Sequence, residues 1–325
     1  MKKTIFILTL LLPFGLLVAQ PNNFSDIDQW GNANGVAVTQ AGDLNYSNVF
    51  TLGNGNAQSF VDQTGKGISN SNAAQFGNGN TVNVGQDNNF TKTYDEANSD
   101  IHQYGNNNDA TVDQLVVNHP NKFPLGGPIN SNITQDGNGN SAIVDQEGLW
   151  LNADIFQDGN RGIAKQYQGT SDYYDGRAFV SDADIHQGTS VNGFSTAEQH
   201  QVGLQNDALI EQNSWNGSEA KQLQINAKGT ITVHRGIDVN QAYIEQHGGG
   251  ANEAYQAQFF NNQGVTPNIA TIIQDGRRNE SLQLQVGGDN FSDVHQFGND
   301  NSSSVTQHSH NVSDPTLLMA NPFGL

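Results

Sequence analysis

Acidic residues are the most abundant groups in this chain that could do chemistry, but they are scattered along the sequence. Of 325 residues, 32 are Asp or Glu and 13 are Lys or Arg. Catalysis needs acids, bases or nucleophiles gathered in one place. Asp109, Asp113, Asp145, Asp207 and Asp293 instead fall singly, between residues that alternate along the chain. We interpret them as outward charges that limit aggregation, and we predict that the chain is not an enzyme.

Histidine and glycine motifs offer little further chemistry. His102, His186, His200 and His295 each precede a Gln. Stacked repeats could align some of them into a metal-binding column, but the usual ligand spacings are absent. A stretch similar to calcium-binding repeats, at 287–290, occurs once. The chain has no Cys, which excludes zinc–thiolate and iron–sulfur sites, so we predict no metal and no cofactor.

A repeat with Gln at intervals of eleven residues organises the chain. Its clearest run is Gln274, Gln285, Gln296 and Gln307. Many copies carry Gly two positions and Asn five positions after the Gln, and Thr51 replaces the Gln once. We predict that these positions form ladders between stacked repeats. The set is Gln29, Gly31, Asn34, Gln40, Gln75, Gly77, Asn80, Gln86, Gln103, Gly105, Asn108, Gln114, Gln135, Gly137, Asn140, Gln146, Gln201, Gly203, Asn206, Gln212, Gln274, Gly276, Asn279, Gln285, Gly287, Asn290, Gln296, Gly298, Asn301 and Gln307.

Each repeat unit is predicted to be one β-strand followed by one tight turn. Alternate residues such as Asn140, Ala142, Val144 and Gln146 would share one face of a strand. The dipeptide Asn138–Gly139 is a strong turn signal because both residues tolerate positive φ. Two units make a strand-turn-strand rung of about 22 residues. The sequence therefore predicts an all-β, amyloid-like β-solenoid of roughly ten or eleven rungs with irregular loop insertions.

Stacking of similar rungs would satisfy the amides inside the solenoid. A buried, unpaired amide costs about 1–3 kcal/mol, and the same residue one rung away supplies its partner, as in the Asn/Gln ladders of cross-β assemblies. Four stretches break the period and are predicted to be loops: Asn88 to Asp100, Leu115 to Ser131, Gly169 to Asp184 and Phe259 to Thr271. We expect the most regular stretch, Ile272 to Gln307, to be the main growth surface.

The two ends of the chain differ from the repeat. Two lysines, an apolar run too short to span a bilayer comfortably and a small residue at Ala19 are typical of a secretory signal peptide. We therefore expect a secreted protein. The predicted organisation is a signal peptide at 1–19, a repeat domain at 20–311 and a C-terminal tail at 312–325.

Composition and charge limit the classes of partner and of fold that suit this chain. The net charge is −19, and loss of Lys2 and Lys3 with the signal peptide takes it to −21. Such a surface argues against binding to nucleic acid, which selects basic proteins. The apolar fraction of 35% is low for a globular chain. Either the chain is disordered, or backbone and amide ladders carry its stability, and the repeat favours the second alternative.

The pattern Gln-x-Gly-x-x-Asn, followed by alternating small and apolar residues up to a second Gln, resembles the curlin repeat. The resemblance covers most of the chain from Gln29 to Gln307. It implies a β-solenoid subunit of curli that is exported unfolded through the outer-membrane curli secretion pore. Such subunits polymerise with themselves and with other curlin-type subunits into bacterial cell-surface fibres that serve adhesion, aggregation and biofilm matrix formation. The length and irregular loops leave open a minor nucleating or capping role.

Two other classes of solenoid are weaker alternatives. A monomeric secreted adhesin could stack sugars on Trp30, Trp150, Trp215 and the Tyr173–Tyr174 pair, but these residues do not share one repeat position. An ice-binding solenoid would show Thr-x-Thr columns, whereas the repeated residues here are Gln and Asn. Fibre growth of the purified protein separates the curlin-like interpretation from both.

Overall fold

The computed structural model describes most of the repeat region of the chain. The described residues are 23–42, 44–54, 58–65, 67–88, 96–116, 127–169, 181–188, 195–202, 206–214, 217–227, 240–261, 268–288 and 290–308. The predicted signal peptide and C-terminal tail lie outside them. Within these residues no helix is long and apolar enough to cross a membrane.

Twenty-two β-strands form two sheets in this part of the chain. The odd sheet contains β1 Phe24–Asn32, β3 Asn45–Asn54, β5 Ile68–Asn78, β7 Glu96–Asn106, β9 Ile129–Asn138, β11 Leu151–Asn160, β13 Ser181–Gln187, β15 Asn206–Ser214, β17 Asn240–Gly250, β19 Ile269–Arg277 and β21 Phe291–Asn299. The even sheet contains β2 Gly35–Gly42, β4 Gln58–Gly65, β6 Thr81–Asn88, β8 Asp109–Val116, β10 Ser141–Gly148, β12 Ile163–Gly169, β14 Thr196–Val202, β16 Glu219–Ala227, β18 Glu253–Asn261, β20 Glu280–Val286 and β22 Ser302–His308.

Strand order shows that the chain winds as a solenoid. Each sheet has 11 strands in sequence order, and neighbouring strands are parallel. One odd strand and the even strand that follows it make one rung, and we number the rungs 1 to 11 from the N-terminal end. At the usual strand spacing the stack is about 50 Å tall. The predicted all-β solenoid is confirmed.

The core lies between the two sheets and follows the predicted alternation. Asn140, Ala142, Val144 and Gln146 are all at most 1% exposed, whereas the residues between them face outward. The largest buried apolar column is made of isoleucines of the odd sheet, which pack against alanines and valines of the even sheet. Side chains of this size leave room for inward Gln, which fills the remaining space between the sheets.

Tight turns join the two strands of most rungs. Of the predicted turn residues Asn138 and Gly139, Asn138 is the last residue of β9. Only Gly139 of the two has the left-handed conformation, with φ of 70°. Arg161 and Arg278 adopt the same conformation in equivalent turns, with φ of 61° and 52°. The turn is therefore set by the rung geometry, and it accepts residues other than Gly.

Strands extend further than predicted into the irregular stretches. β6 runs to Asn88, β7 begins at Glu96, β8 runs to Val116 and β9 begins at Ile129. Inward apolar residues explain this extension, because Val116 and Ile129 belong to a second apolar cluster that continues the core where the Gln-Gly pattern stops. β12 and β13, and β18 and β19, likewise take residues from the third and fourth predicted loops.

The predicted loops are thus shorter than the sequence indicated. Most of their remaining residues lie outside the described part of the chain. Two interruptions that the sequence analysis missed, at 189–194 and 228–239, also lie outside it. All but one of these longer segments connect the end of one rung to the start of the next, and 189–194 connects the two strands within rung 7.

Candidate functional site

A column of glutamines runs through all eleven rungs of the even sheet. Each Nε2 donates to the Oε1 of the next Gln, over distances of 2.8–3.0 Å, without a break from Gln40 to Gln307. The same Nε2 atoms donate to backbone carbonyls of the odd sheet, as Gln146 does to Asn130 at 2.9 Å. The column therefore holds rung to rung and sheet to sheet.

A second glutamine column lies in the odd sheet. It is continuous from Gln75 to Gln296, with Nε2–Oε1 distances of 2.7–3.0 Å. Thr51 interrupts it in rung 2, and its hydroxyl is buried with no hydrogen-bond partner among the described residues. Gln29 occupies the same position in rung 1. The predicted replacement of Gln by Thr therefore costs ladder bonds.

Both columns have one direction. In every bond the donor amide belongs to the rung nearer the N-terminus and the acceptor oxygen to the rung nearer the C-terminus. The stack therefore ends in a glutamine oxygen at rung 1, where Gln40 begins the even-sheet column, and in glutamine amides at rung 11, where Gln296 and Gln307 end the two columns. Its two ends are chemically complementary.

An asparagine column lines the turn at the end of each regular odd strand. Asn108 donates from Nδ2 to the carbonyl of Tyr104 in its own rung, at 3.1 Å, and to that of Gly137 in the next, at 3.0 Å. Its Oδ1 accepts from the backbone N–H of Asn140, at 3.0 Å. Asn80, Asn140 and Asn279 bond in the same way. The Asn at the fifth position after Gln thus satisfies the backbone of two rungs at each turn.

Glycine is required two positions after Gln because neighbouring rungs come too close for a side chain. At Gly105 φ is 110°, and an added Cβ would lie 1.8 Å from the carbonyl oxygen of Gly137. Gly77 and Gly137 face the same obstacle from the rung that follows each, at 1.7 Å. The Gly of the motif is therefore a steric requirement of the stack.

The structure thus brings most of the predicted positions together as three kinds of column, whereas Asn206 and Asn290 lie at the opposite corner, at the start of odd strands, where they bond to Asn240 and Asn268. Gly203 lies outside the described residues. Several members of the two Gln columns are missing from the predicted set, since their repeats lack the full Gln-Gly-Asn pattern. They are Gln63, Gln157, Gln168, Gln187, Gln224, Gln246 and Gln258. Gln157 and Gln168 do show the eleven-residue spacing in the sequence, but they were left out of the predicted set.

A third glutamine column, not predicted from the sequence, lies in the even sheet of rungs 6 to 10. It lies two residues before the main column, at the position that Val144 occupies in rung 5. Its Nε2–Oε1 distances are 3.0–3.1 Å. Its members are Gln166, Gln199, Gln222, Gln256 and Gln283.

The outer face of the odd sheet carries an aromatic column that sequence spacing did not reveal. Trp30, Leu52, Phe76 and Tyr104 lie in register in rungs 1 to 4. The rings of Phe76 and Tyr104 stack with centroids 5.0 Å apart. Of the tryptophans considered as sugar platforms, Trp30 begins this column, whereas Trp150 lies in a turn and Trp215 is outside the described residues.

Acidic residues cluster on the same outer face at rungs 6 to 8. Burial raises the pKa of Asp184 to about 6, and the carboxylates of Asp182 and Asp154 add to the rise. Burial also raises the pKa of Asp182 and of Asp207. No group of three His, Cys, Asp or Glu side chains in the described residues is arranged to hold a metal ion. The cluster is a concentration of negative charge on the surface of the stack.

The four histidines of the sequence analysis all lie on outer faces of the stack. His102, His200 and His295 each contact an acidic residue two positions earlier in their own strand, at 3.0, 2.6 and 2.8 Å. Each therefore has an acidic partner in its own strand, and the ring of His200 also stacks on Tyr167 of the preceding rung, with centroids 4.6 Å apart.

Comparison of the chain with protein-family models and with curated proteins finds no match. Its function has to be inferred from the columns and from the two ends at which they stop.

Proposed function

We propose that this chain is a structural subunit of an extracellular, amyloid-like fibre that grows by end-to-end stacking of solenoids. The observation that carries the proposal is the state of the two ends. Among the described residues β1 pairs with β3 alone and β21 with β19 alone. Unpaired edges of this kind are templates for further strands, and soluble solenoids usually cover them with capping repeats.

The last rung matches the first in length and in register. β21 and β1 have nine residues each. If β21 of one molecule meets β1 of the next in the register of the internal pairs, Gln296 meets Gln29 and Gly298 meets Gly31. In the even sheet Gln307 then meets Gln40. Every column that runs through the solenoid continues across this joint.

The direction of the glutamine columns sets the polarity of growth. Gln296 already donates one N–H to the carbonyl of Glu280 in rung 10, and Gln307 donates one to the carbonyl of Phe291 in rung 11, but each amide has a second N–H. That second N–H would face the Oε1 of Gln29 or Gln40 in the next molecule. A joint between two different ends is heterologous and does not close, so it produces a filament.

Apolar side chains at the ends add to the joint. Ile27 is on the inner face of rung 1 and yet is 45% exposed, because no rung of the described residues covers it. Val294 of rung 11 would cover it in the proposed register. On the outer face Phe297, 67% exposed, would reach Trp30, 59% exposed. Such aromatic pairs contribute about 0.5–1.5 kcal/mol beyond their buried area.

The cellular setting is part of the proposal and rests on the resemblance to curlin repeats and on the signal pattern at 1–19. The subunit leaves the cell through an outer-membrane curli secretion pore, assembles with itself and with other curlin-type subunits, and contributes to adhesion and biofilm matrix. The role is structural, with no catalytic step. The charge of −19 gives no basis for a nucleic-acid partner.

Fibre growth by the purified mature chain tests the proposal. We expect β-rich fibres with a diffraction spacing near 4.7–4.8 Å along the axis. Ile27→Asp, which puts a charge on the joint, should stop elongation. Thr39→Asp adds the same charge on the outer face of the same rung and should leave most growth intact. A chain that stays monomeric, or equal growth of the two variants, would contradict end-to-end stacking.

A further inference from the structure

One pair of inner positions takes two forms along the stack. The first position lies in the odd sheet, two residues before the Ile column, and the second in the even sheet, two residues before the main Gln column. Rungs 1 to 5 pair Ser with Val, and rungs 6 to 10 pair Ala with Gln. The Ser/Val pairs are Ser25/Val38, Ser47/Val61, Ser71/Val84, Ser99/Val112 and Ser131/Val144. The Ala/Gln pairs are Ala153/Gln166, Ala183/Gln199, Ala208/Gln222, Ala242/Gln256 and Ala270/Gln283.

Hydrogen bonds show why the two positions change together. Gln166 donates to the carbonyls of Asp154 and Ala183 across the core, at 3.0 and 2.7 Å. A Ser at the Ala position would compete for these carbonyls, because Ser hydroxyls bond to nearby backbone groups. Where Val replaces Gln, the carbonyls are not used in this way, and Ser is tolerated. The pair therefore behaves as one unit.

A boundary between the two forms leaves a polar group without a partner. Gln166 begins the Gln column, and the rung before it offers Val144. The Oε1 of Gln166 is accordingly buried and has no hydrogen-bond partner in the part of the chain that the structure describes. At the other end of the block Gln283 faces Val305, which cannot accept a hydrogen bond from its amide. Each boundary thus weakens the contact between two rungs.

Rung 11 returns to the Ser/Val form, with Ser292 and Val305. It therefore differs from rung 10, to which it is covalently joined, and matches rung 1, from which it is separated by the whole stack. This arrangement places both boundaries inside the molecule, where covalent connections hold the rungs together. The joint between molecules is left without a boundary.

We propose that the pair Ser292/Val305 determines which end the growing fibre accepts. The fitting partner is a second copy of this chain whose first rung presents Ser25 and Val38. This inference rests on the proposed function, because it concerns the joint between stacked subunits. A last rung of the Ala/Gln form would turn a Gln amide toward Val38, and the incoming rung would leave that amide unpaired in the joint.

Exchange of the pair at both sides of the joint tests the proposal. Ser292→Ala/Val305→Gln should raise the critical concentration for fibre growth roughly tenfold, the effect of one unpaired buried hydrogen-bonding group. Ser25→Ala/Val38→Gln should also weaken growth. The chain with all four substitutions restores a matched joint, of the Ala/Gln form, and should recover growth close to that of the wild type.

Recovery of growth in the four-substitution chain would distinguish a mismatch at the joint from damage to rung 11, because changes in rung 1 cannot repair a damaged rung 11. If the four-substitution chain grows no better than Ser292→Ala/Val305→Gln, the pair does not select the partner. Ser304→Gln, which adds the same side chain on the outer face beside Val305, is the matched control and should change growth less than twofold. Equal growth of the wild type and both pair variants overturns this inference and leaves the fibre proposal intact. Failure of the wild type to form fibres overturns both.

Discussion

Rungs 2 to 5 and rungs 6 to 10 have one backbone architecture and different interiors. In the first block Val61, Val84, Val112 and Val144 fill the variable position of the even sheet, and they belong to the main apolar core. In the second block an amide column fills the same position and adds bonds between rungs and across the core. The two blocks thus reach the same geometry by apolar burial and by hydrogen bonding.

The two interiors should respond differently when one inner side chain is removed. Truncation of a valine leaves a cavity, whose cost is local. Removal of a glutamine from inside a column leaves the amide on one side and the oxygen on the other without partners, so the cost spreads to two further rungs. The second block should be the more cooperative of the two, although its interior is the more polar.

The largest expected effect concerns the glycine two positions after the odd-sheet Gln, which regular turns in both blocks share, as at Gly105 and Gly159. Gly105→Ala would force a Cβ to within 1.8 Å of the next rung at a φ of 110°. We expect the stacked fold to lose more than about 4 kcal/mol of stability, which would be seen as failure to form fibres. Gly169→Ala is the matched control, because a Cβ there meets nothing within 4 Å. Comparable fibre yield from the two variants would show that the rungs can move apart at the turn.

The second prediction concerns position within the third Gln column. Gln222→Val removes bonds to Gln199, to Gln256 and to the carbonyl of Leu209. We expect the fibre to lose about 2–4 kcal/mol of stability. The loss is measured as a lower guanidinium chloride concentration at the midpoint of fibre dissolution.

Gln166→Val is its matched control at the start of the same column. At Gln166 the substitution only moves the boundary between the Ser/Val and Ala/Gln forms from rungs 5 and 6 to rungs 6 and 7. The loss of fibre stability should therefore be about 1 kcal/mol. Equal losses at Gln166 and Gln222 would mean that the column does not act as a connected unit, and the contrast between the blocks would disappear.

Periodicity in the sequence was sufficient to predict the solenoid, because Gln-x-Gly-x-x-Asn fixes both the inward face and the turn. Asn140 and Val144 illustrate this, since alternation alone placed them inside. Strand ends were predicted less well at Val116 and Ile129, where inward apolar residues continue the strands without the motif. The motif marks the turns, whereas the length of a strand depends on packing across the core.

The variable pair could not be predicted from spacing within one repeat. Gln166 and Gln199 occupy equivalent positions 33 residues apart, and the equivalence becomes visible only when the insertion between their rungs is removed and the strands are in register. The aromatic column was hidden for the same reason, because Phe76 and Tyr104 are 28 residues apart in the chain and adjacent in the stack. Insertions of different lengths conceal a column that the backbone hydrogen bonds restore.

A third prediction uses the outer faces, which also differ between the blocks. Burial raises the pKa of Asp184, over the Ala/Gln block, to about 6 from 3.8. Above pH 6 its charged form is penalised in the stack, and between about pH 6 and 4 the stack binds a proton that the unfolded chain releases. Lowering the pH from 7 to 5 should therefore raise the dissolution midpoint. Asp184→Asn should raise it at pH 7 and reduce its change with pH. An unchanged pH response in this variant would contradict a role for this carboxyl group.

The smallest expected effect tests whether the inner serines of the Ser/Val rungs stabilise or destabilise the stack. The hydroxyl of Ser99 is buried with no hydrogen-bond partner among the described residues, as are those of Ser71 and Ser131. Ser99→Ala removes a desolvated polar group and leaves the shape nearly unchanged, so the dissolution midpoint should stay the same or rise, by about 0–1 kcal/mol. The reverse change in the other block, Ala208→Ser, adds a hydroxyl beside carbonyls that the Gln column uses, and it should lower the midpoint. If both substitutions destabilise equally, the serines have bonding partners that stabilise the first block, and its interior is not the purely apolar counterpart of the second.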